Sequence, residues 1–382
     1  MTENYTALYD QHKTAGASFT DFGGWQMPLK YTSELAEHHA VRNAAGLFDL
    51  SHMGEVWVTG PDAGAFLDYA LAGKLSAIAV GKAKYSLICD ADGGIIDDLI
   101  TYRLPAAADG TAKYMVVPNA GNATTVAAAL AERAANFDVA VEDASAGTSL
   151  IAVQGPNAEA ILLQLVPAGQ HSLVIELKYY AAVEVGITVN GTVQTLLLAR
   201  TGYTGEDGFE IYVPNEDAPG LWESLLDAGA EHGLVPAGLA CRDSLRLEAG
   251  MPLYGNELSR RVNAYAAGLG PVVSLAKESD FVGKEALAAL KAAGVGSTMG
   301  QKLVGLKGLG RRAARGHYPV LKDGTLIGEV TSGQPSPTLG YPVAMAYVDV
   351  EHASVGTVVD VDLRGKAERF EVVELPFYKR NK

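Results

Sequence analysis

Two α+β lobes followed by a C-terminal β-barrel are the architecture this sequence predicts. Three observations carry it. Helix-like and strand-like periodicities alternate in two successive sets as far as Gly250. A stretch of small residues, KAAGVGSTMGQ at 291–301, then interrupts the apolar pattern. Beyond it the chain reads almost entirely as short strands.

In the first set, residues 33–45 (SELAEHHAVRNAA) carry helical periodicity and GEVWVT at 54–59 alternates as a strand. Residues 61–71 (PDAGAFLDYAL) return to a helix with Asp62 in its first turn. Strands at 85–89 and 95–103 flank DADGG, whose Asp-Gly-Gly supplies the positive φ values of a tight hairpin. A strand at 113–118 and an Ala-rich helix at 124–135 follow. The second set has a strand at 149–154, a helix opened by Pro156 at Asn157, and strands at 194–200 and 209–213 framing TGYTGEDG. Helices at 221–232 and 241–249 come next, the latter ended by Gly250 before Pro252. After the linker, strands at 302–306, 324–331, 345–350, 357–363 and 369–375 have the spacing of a small barrel. The expected division is therefore two lobes in residues 1–290 and a barrel in residues 300–382.

The chain has 382 residues, 48% hydrophobic and 19% charged, enough for two or three packed domains. A formal net charge of −14 argues against non-specific nucleic-acid binding, yet a local basic patch leaves room for a small anionic ligand. Cys89 and Cys241 lie far apart and outside any CxxC or His/Cys cluster. They predict neither a metal site nor a disulfide framework, but two buried thiols of a reducing compartment. The start, MTENYTALYDQH, lacks the basic-then-apolar pattern of a signal segment, and no apolar run approaches the roughly 20 residues of a membrane span. The expectation is a cytoplasmic protein, with the sequons at Asn4, Asn122 and Asn190 as chance matches. There is no GxGxxG after a strand, no Walker A, no GxSxG and no HExxH, and GLKGLG at 305–310 is wrongly spaced for a dinucleotide loop.

Four segments carry candidate chemistry. In DGGIIDDLITYR (92–103), Asp97 and Asp98 are neighbours on a strand and point to opposite faces, so they do not form a glycosidase-style pair. The plain structural reading is a solvated hairpin edge. In TGYTGEDGFE, Glu210 sits inside the otherwise apolar strand FEIYV, where a buried acid needs a partner or a ligand. A carboxylate accepts the adjacent N–H donors of a pterin ring bidentately. In CRDSLRLEAG, Arg242 and Arg246 lie four apart on one helix side, as a salt-bridged face or with Arg242 reaching a carbonyl-bearing ring. In FDLSHM, His52 reads as a packed histidine and Met53 as a soft apolar contact for a flat ring.

FGGW-MP, GLFDLSHMGE, GGIIDDLI, NAGN, AVQGP, RTGYTGEDGFEIYV, GLACRDSLRLEAGMPLYGNEL, VTSGQPSPTLGYPVAMAYV and LPFYKR occur in that order and span nearly the whole chain. Together they resemble the T-protein (aminomethyltransferase) family of the glycine cleavage system. The resemblance implies three domains in a cloverleaf around a folate channel. It implies transfer of an aminomethyl group from the dihydrolipoyl arm of the lipoylated H-protein to tetrahydrofolate, the co-substrate. The products are 5,10-methylenetetrahydrofolate, ammonia and the reduced carrier arm. It assigns catalysis to Asp98, pterin binding to Glu210, and further folate contacts to Met53, Val117, Asn119, Tyr203, Arg242 and Tyr378. One departure stands out: GLGPVV places Pro271 where many relatives carry Trp.

On this resemblance the folate supplies the accepting nitrogen, no protein nucleophile is needed, and the enzyme orients its partners and manages charge and protons. Asp98 would stabilise an iminium-like cation. The basic clusters, Arg260 with Arg261 and Arg311 with Arg312 and Arg315, read either as solvated loops or as a local positive rim. In the second case carrier docking would use Arg312 and Arg315, of which the resemblance favours Arg315. Competing readings are a folate-dependent demethylase or oxidase domain, a non-catalytic folate protein of iron–sulfur assembly, and a plain interaction module. The second normally carries K-G-C-Y-x-G-Q-E where this chain reads RTGYTGED.

Overall fold

The computed structural model describes residues 3–107, 109–294 and 300–380. The chain divides into two compact units, one of Met1–Leu67, Leu75–Lys84 and Leu99–Asp243, the other of Asp68–Lys74, Tyr85–Asp98 and Ser244–Lys382.

In chain order, α1 (Tyr9–Thr14) precedes the hairpin β1 (Ser18–Phe22) and β2 (Trp25–Lys30), then α2 (Glu34–Asn43) and β3 (Ala45–Asp49). β4 (Val56–Gly60) and α3 (Ala63–Ala70) lead to β5 (Lys82–Cys89), β6 (Ile95–Leu104) and β7 (Ala112–Val117). α4 (Ala123–Arg133), β8 (Ala140–Asp143), β9 (Thr148–Gln154), α5 (Ala158–Leu165) and α6 (His171–Ile175) follow. β10 (Ala182–Val189), β11 (Thr192–Ala199), β12 (Gly208–Pro214), α7 (Ala218–Gly229), β13 (Leu234–Pro236) and α8 (Leu239–Glu248) come next.

Two sheets result, with orders β10-β11-β12-β9-β3-β13 and β5-β6-β7-β4-β8. The first packs Leu47, Ile151, Val153, Phe209, Ile211 and Val213 against Ile161, Leu162, Leu221, Trp222 and Leu225 of α5 and α7. Full burial of such aliphatic and aromatic side chains stabilises by about 1.5–3 kcal/mol each. Six of the seven residues of β12 are buried, so an acid on this strand has no face open to water.

The second unit contains the tip of the β5–β6 hairpin. Asp90 closes it, its Oδ1 accepting from the backbone N–H of Asp92 (3.1 Å) and Gly94 (2.8 Å). Gly93 takes φ +83°, which an L side chain rarely adopts, and the Cys89 end of the hairpin packs with Ile95, Phe281 and Leu287. α9 (Lys284–Ala293) is followed by β14 (Gln301–Gly308), β15 (Pro319–Lys322), β16 (Thr325–Pro335), β17 (Pro342–Asp349), β18 (Val358–Asp362) and β19 (Ala367–Val373). These six strands form a closed barrel of order β14-β17-β16-β15-β18-β19. Its core alternates along the strands: Val304 and Leu306, Ala344, Ala346 and Val348, Val359 and Val361, Phe370 and Val372. Val343 and Met345, of opposite parity, pack instead with Leu247 of α8.

The α+β sheets and the barrel agree with the expected architecture. The linker expected at 291–301 lies partly outside the described residues; α9 takes its first three and β14 its last. Both cysteines are buried thiols that form no disulfide among the described residues. Among the described residues no helix is long and apolar enough to cross a membrane.

Candidate active site

The TGYTGEDG segment is a loop wrapped around one side chain, Gln154 at the end of β9. Gln154 Nε2 donates to the Thr201 carbonyl (3.1 Å), and its Oε1 accepts from Thr204 Oγ1 (3.0 Å). A Cβ at Gly202 or Gly208 would run into the Gln154 amide, so the glycines serve close approach. The three acids of the segment then find three different fates. Glu206 pairs with buried Arg42 (2.9 Å), Asp207 with Arg200 (2.5 Å), and Glu210 accepts from the Thr201 hydroxyl.

Glu210 is 8% exposed. Burial pushes its carboxyl up, while the Thr201 hydrogen bond, the Arg242 charge and Tyr102 pull it back. Arg242, in the second turn of α8, lies over the Tyr203 ring with its Cζ 4.9 Å from the centroid. Its Nη1 is buried without a hydrogen-bond partner among the described residues. Burial lowers the guanidinium pKa and the Glu210 charge opposes that shift. A buried carboxylate, a nearby guanidinium with an unused donor and a ring beneath it form one recognition element for a planar polar ligand with N–H donors and a carbonyl. The structure thus brings Tyr203, Glu210 and Arg242 together within the first unit.

Met53, Val117 and Asn119 belong to the same unit. Gly54 N–H donates to the Pro118 carbonyl (3.1 Å), joining the SHMG turn to the segment that carries Val117 and Asn119. A Cβ at Gly54 would come within 2.9 Å of the Pro118 ring and 2.7 Å of Ala123, so this approach requires glycine. His52 is buried with Nδ1 unpartnered, and burial lowers its pKa to about 4, keeping it neutral. The Arg242 charge adds to that lowering.

The remaining expected residues lie in the second unit. Asp98 is half-buried on β6 and accepts from Tyr85 OH at 2.9 Å. Asp97, of opposite parity, is fully buried, so neither acid sits on a solvated hairpin edge. Tyr378 is held by its backbone N–H, which donates to the Glu248 carbonyl (2.8 Å). The helix face read from CRDSLRLEAG divides in two. Arg246 donates to Glu257 (2.9 Å), Ser332 (2.7 Å) and the Met251 carbonyl (3.2 Å), a buried structural network, whereas Arg242 keeps an unused donor. Arg312 is exposed, 3.7 Å from Glu368, and Arg315 donates to the Gly333 carbonyl (3.0 Å). Pro271 lies exposed in a short 3-10 turn.

Sequence reasoning missed Thr201, Gln154 and Glu55. Glu55 is fully buried, with both carboxyl oxygens unpartnered among the described residues. A signal was available for it, since GEVWV places an acid at the mouth of an apolar strand, as FEIYV does for Glu210.

Comparison with known proteins shows the family of the whole chain. The model of the GCVT N-terminal domain matches residues 8–277, and that of the glycine cleavage T-protein C-terminal barrel domain matches residues 301–379. An aminomethyltransferase of Streptomyces avermitilis is 55% identical over 381 residues, covering 99% of this chain and 98% of the relative. One of Saccharopolyspora erythraea is 54% identical over 377 residues, covering 98% of each. The crystal structure of the glycine cleavage system aminomethyltransferase T from Bartonella henselae superposes with a TM-score of 0.88 at 38% identity, covering 98% of both chains. The matched domains, the relatives and the superposed structure define a transferase with GCVT-type sheets and a C-terminal barrel. The chain belongs to the glycine cleavage T-protein family, and it is an enzyme that transfers an aminomethyl group in glycine cleavage.

Proposed function

We propose that the acceptor is tetrahydrofolate and the donor the aminomethylated dihydrolipoyl arm of the H-protein, in the cytoplasm. The observation that carries the reading is the Glu210–Arg242 couple. A buried acid beside a guanidinium with an orphaned Nη1 fits a pterin ring, which offers adjacent N–H donors and a carbonyl. Met53, Val117, Asn119, Tyr203 and Tyr378 are its further contacts. When bound, tetrahydrofolate supplies the accepting nitrogen. The protein orients it through Glu210 and Arg242, and the Asp98 carboxylate stabilises positive charge developing on the transferred carbon. Functionally, residues 1–290 form the folate-binding region and residues 300–382 the barrel domain. In an assay with aminomethylated H-protein and tetrahydrofolate, ammonia and 5,10-methylenetetrahydrofolate should appear together, only when both substrates are present. Ammonia release at the same rate without folate would refute the reading.

Glu210→Ala and Arg242→Ala are each expected to weaken folate binding by roughly 2–4 kcal/mol, the range for losing a buried charge-assisted contact. Calorimetry on the purified variants measures this, and unchanged affinity in both sinks the pterin-clamp idea.

Carrier docking is assigned to the basic loop at Arg312 and Arg315. Arg312 loses little in pairing with Glu368, because an exposed ion pair at 3.7 Å is weak. The double variant Arg312→Glu, Arg315→Glu should raise KM for the H-protein, more at low salt, with free dihydrolipoamide-type substrate little affected. An unchanged carrier KM at low salt in a folded double variant rules the patch out.

A further inference from the structure

Behind Glu210 lies a row of buried hydroxyls in the first unit. Thr201 Oγ1 donates to Glu210 Oε2. Tyr102 OH lies 3.0 Å from the same Thr201 Oγ1, and Tyr212 OH lies 3.5 Å from Tyr102 OH. Thr201 and Tyr102 are 1% and 0% exposed. A hydroxyl has one proton. Because Thr201 spends its proton on Glu210, Tyr102, itself a hydrogen-bonding neighbour of Glu210, directs its own proton toward Thr201 Oγ1 and the carboxylate, and can then only accept from Tyr212. Every O–H in the row points toward the carboxylate. A chain of this polarity favours the ionised form of the acid at its end, and each link polarises the next.

We propose that Thr201 and Tyr102 are positioning residues that hold Glu210 ionised, turn its Oε2 into the protein and leave Oε1 for the ligand's N–H groups. The inference rests on the reading of Glu210 as the pterin acceptor. The surroundings of Glu210 make the chain necessary. Its cross-strand neighbours are Ala199 and Ala152, which offer no hydrogen-bonding side chain. The titratable and charged groups that act on it are Arg242 from α8, Tyr102 from β6 and Tyr212 from β12. Burial works against ionisation, and the Arg242 charge favours it. Losing the Thr201 hydroxyl removes a contact that lowers the carboxyl pKa, so it must rise further. A larger share of Glu210 is then protonated at neutral pH and cannot accept two N–H bonds. The ionised share recovers as pH increases.

The test is calorimetric titration of the full-length protein with tetrahydrofolate under anaerobic conditions at pH 6.5, 7.5 and 8.5. Thr201→Val, nearly isosteric, should weaken binding about tenfold at pH 6.5, the loss of one charge-assisted hydrogen bond. The deficit should shrink toward pH 8.5. Thr201→Ser, which restores the hydroxyl, should bind within about twofold of the parent, below a single ordinary hydrogen bond. Tyr102→Phe should show the same pH-dependent deficit at smaller size and carries the test if Thr201→Val does not fold. A parallel titration of Glu210→Gln separates the two layers. If Glu210→Gln binds normally, the pterin-acceptor reading falls. If Glu210→Gln binds weakly while Thr201→Val and Tyr102→Phe bind normally, or lose affinity equally at every pH, the positioning role is overturned.

Discussion

Asp98→Asn is expected to leave the fold and folate binding nearly intact and to cut turnover by two to three orders of magnitude. The side chain is half-buried on β6 and accepts a hydrogen bond from Tyr85 OH at 2.9 Å, which an amide oxygen accepts equally well. The amide is neutral, however. It cannot stabilise the positive charge that develops as the aminomethyl carbon leaves sulfur, and removing one such electrostatic group typically costs about 10²–10³ in kcat. Tyr85→Phe, which keeps the carboxylate charge and removes the hydrogen bond to it, should be milder. Asp97→Asn separates catalysis from packing. Asp97 is 0% exposed and engaged by the surrounding protein, so neutralising it should lower the melting temperature while the folded fraction keeps most of its turnover. Steady-state kinetics on the three variants, with melting curves, decide this. Full activity in Asp98→Asn would sink the assignment.

The adjacent acids illustrate what could be read without coordinates. Strand alternation alone separates Asp97 from Asp98, and the apolar context of FEIYV alone marks Glu210 as a buried acid in want of a partner. The barrel was legible because its long strands alternate cleanly between turn residues. Strands β1, β2, β3, β8, β10, β13 and β15 went unassigned, two of them for plain physical reasons. β13 is the three residues LVP and pairs in parallel with β3, nearly two hundred residues earlier, so no local pattern announces it. β8 buries none of its four residues and reads as loop. Side-chain fates were less legible than elements. Arg242 and Arg246 look equivalent on a helical wheel. Only the Glu257–Ser332 network, supplied from distant segments, turns Arg246 into scaffold. Likewise the glycines of TGYTGEDG look like turn formers, whereas Gly202 and Gly208 make room for Gln154, a residue about fifty positions away.

Glu55 yields the other large effect, a dependence of stability on pH. Its backbone is satisfied, the N–H donating to Ser145 Oγ and the carbonyl accepting from Ala144 N–H, both at 2.9 Å. Its carboxyl is not: both oxygens are buried without a partner among the described residues. Burial first, and then the Asp143 charge, push it from an ordinary 4.5 up to about 9. The folded chain therefore holds this proton across neutral pH while the unfolded chain has lost it. Stability from this group is fully present below about pH 4.5 and is lost as pH rises toward 9, at about 1.4 kcal/mol per pH unit. Glu55→Gln carries no titrating proton and fills nearly the same volume. Its melting temperature should lie near that of the parent at pH 5 and fall less steeply above pH 6, so that the variant is the more stable protein at pH 8.5. Melting curves of both proteins at half-unit steps from pH 5 to 9 test this. Parallel pH profiles would mean that Glu55 is already ionised in the folded chain, held by a partner such as an ordered water.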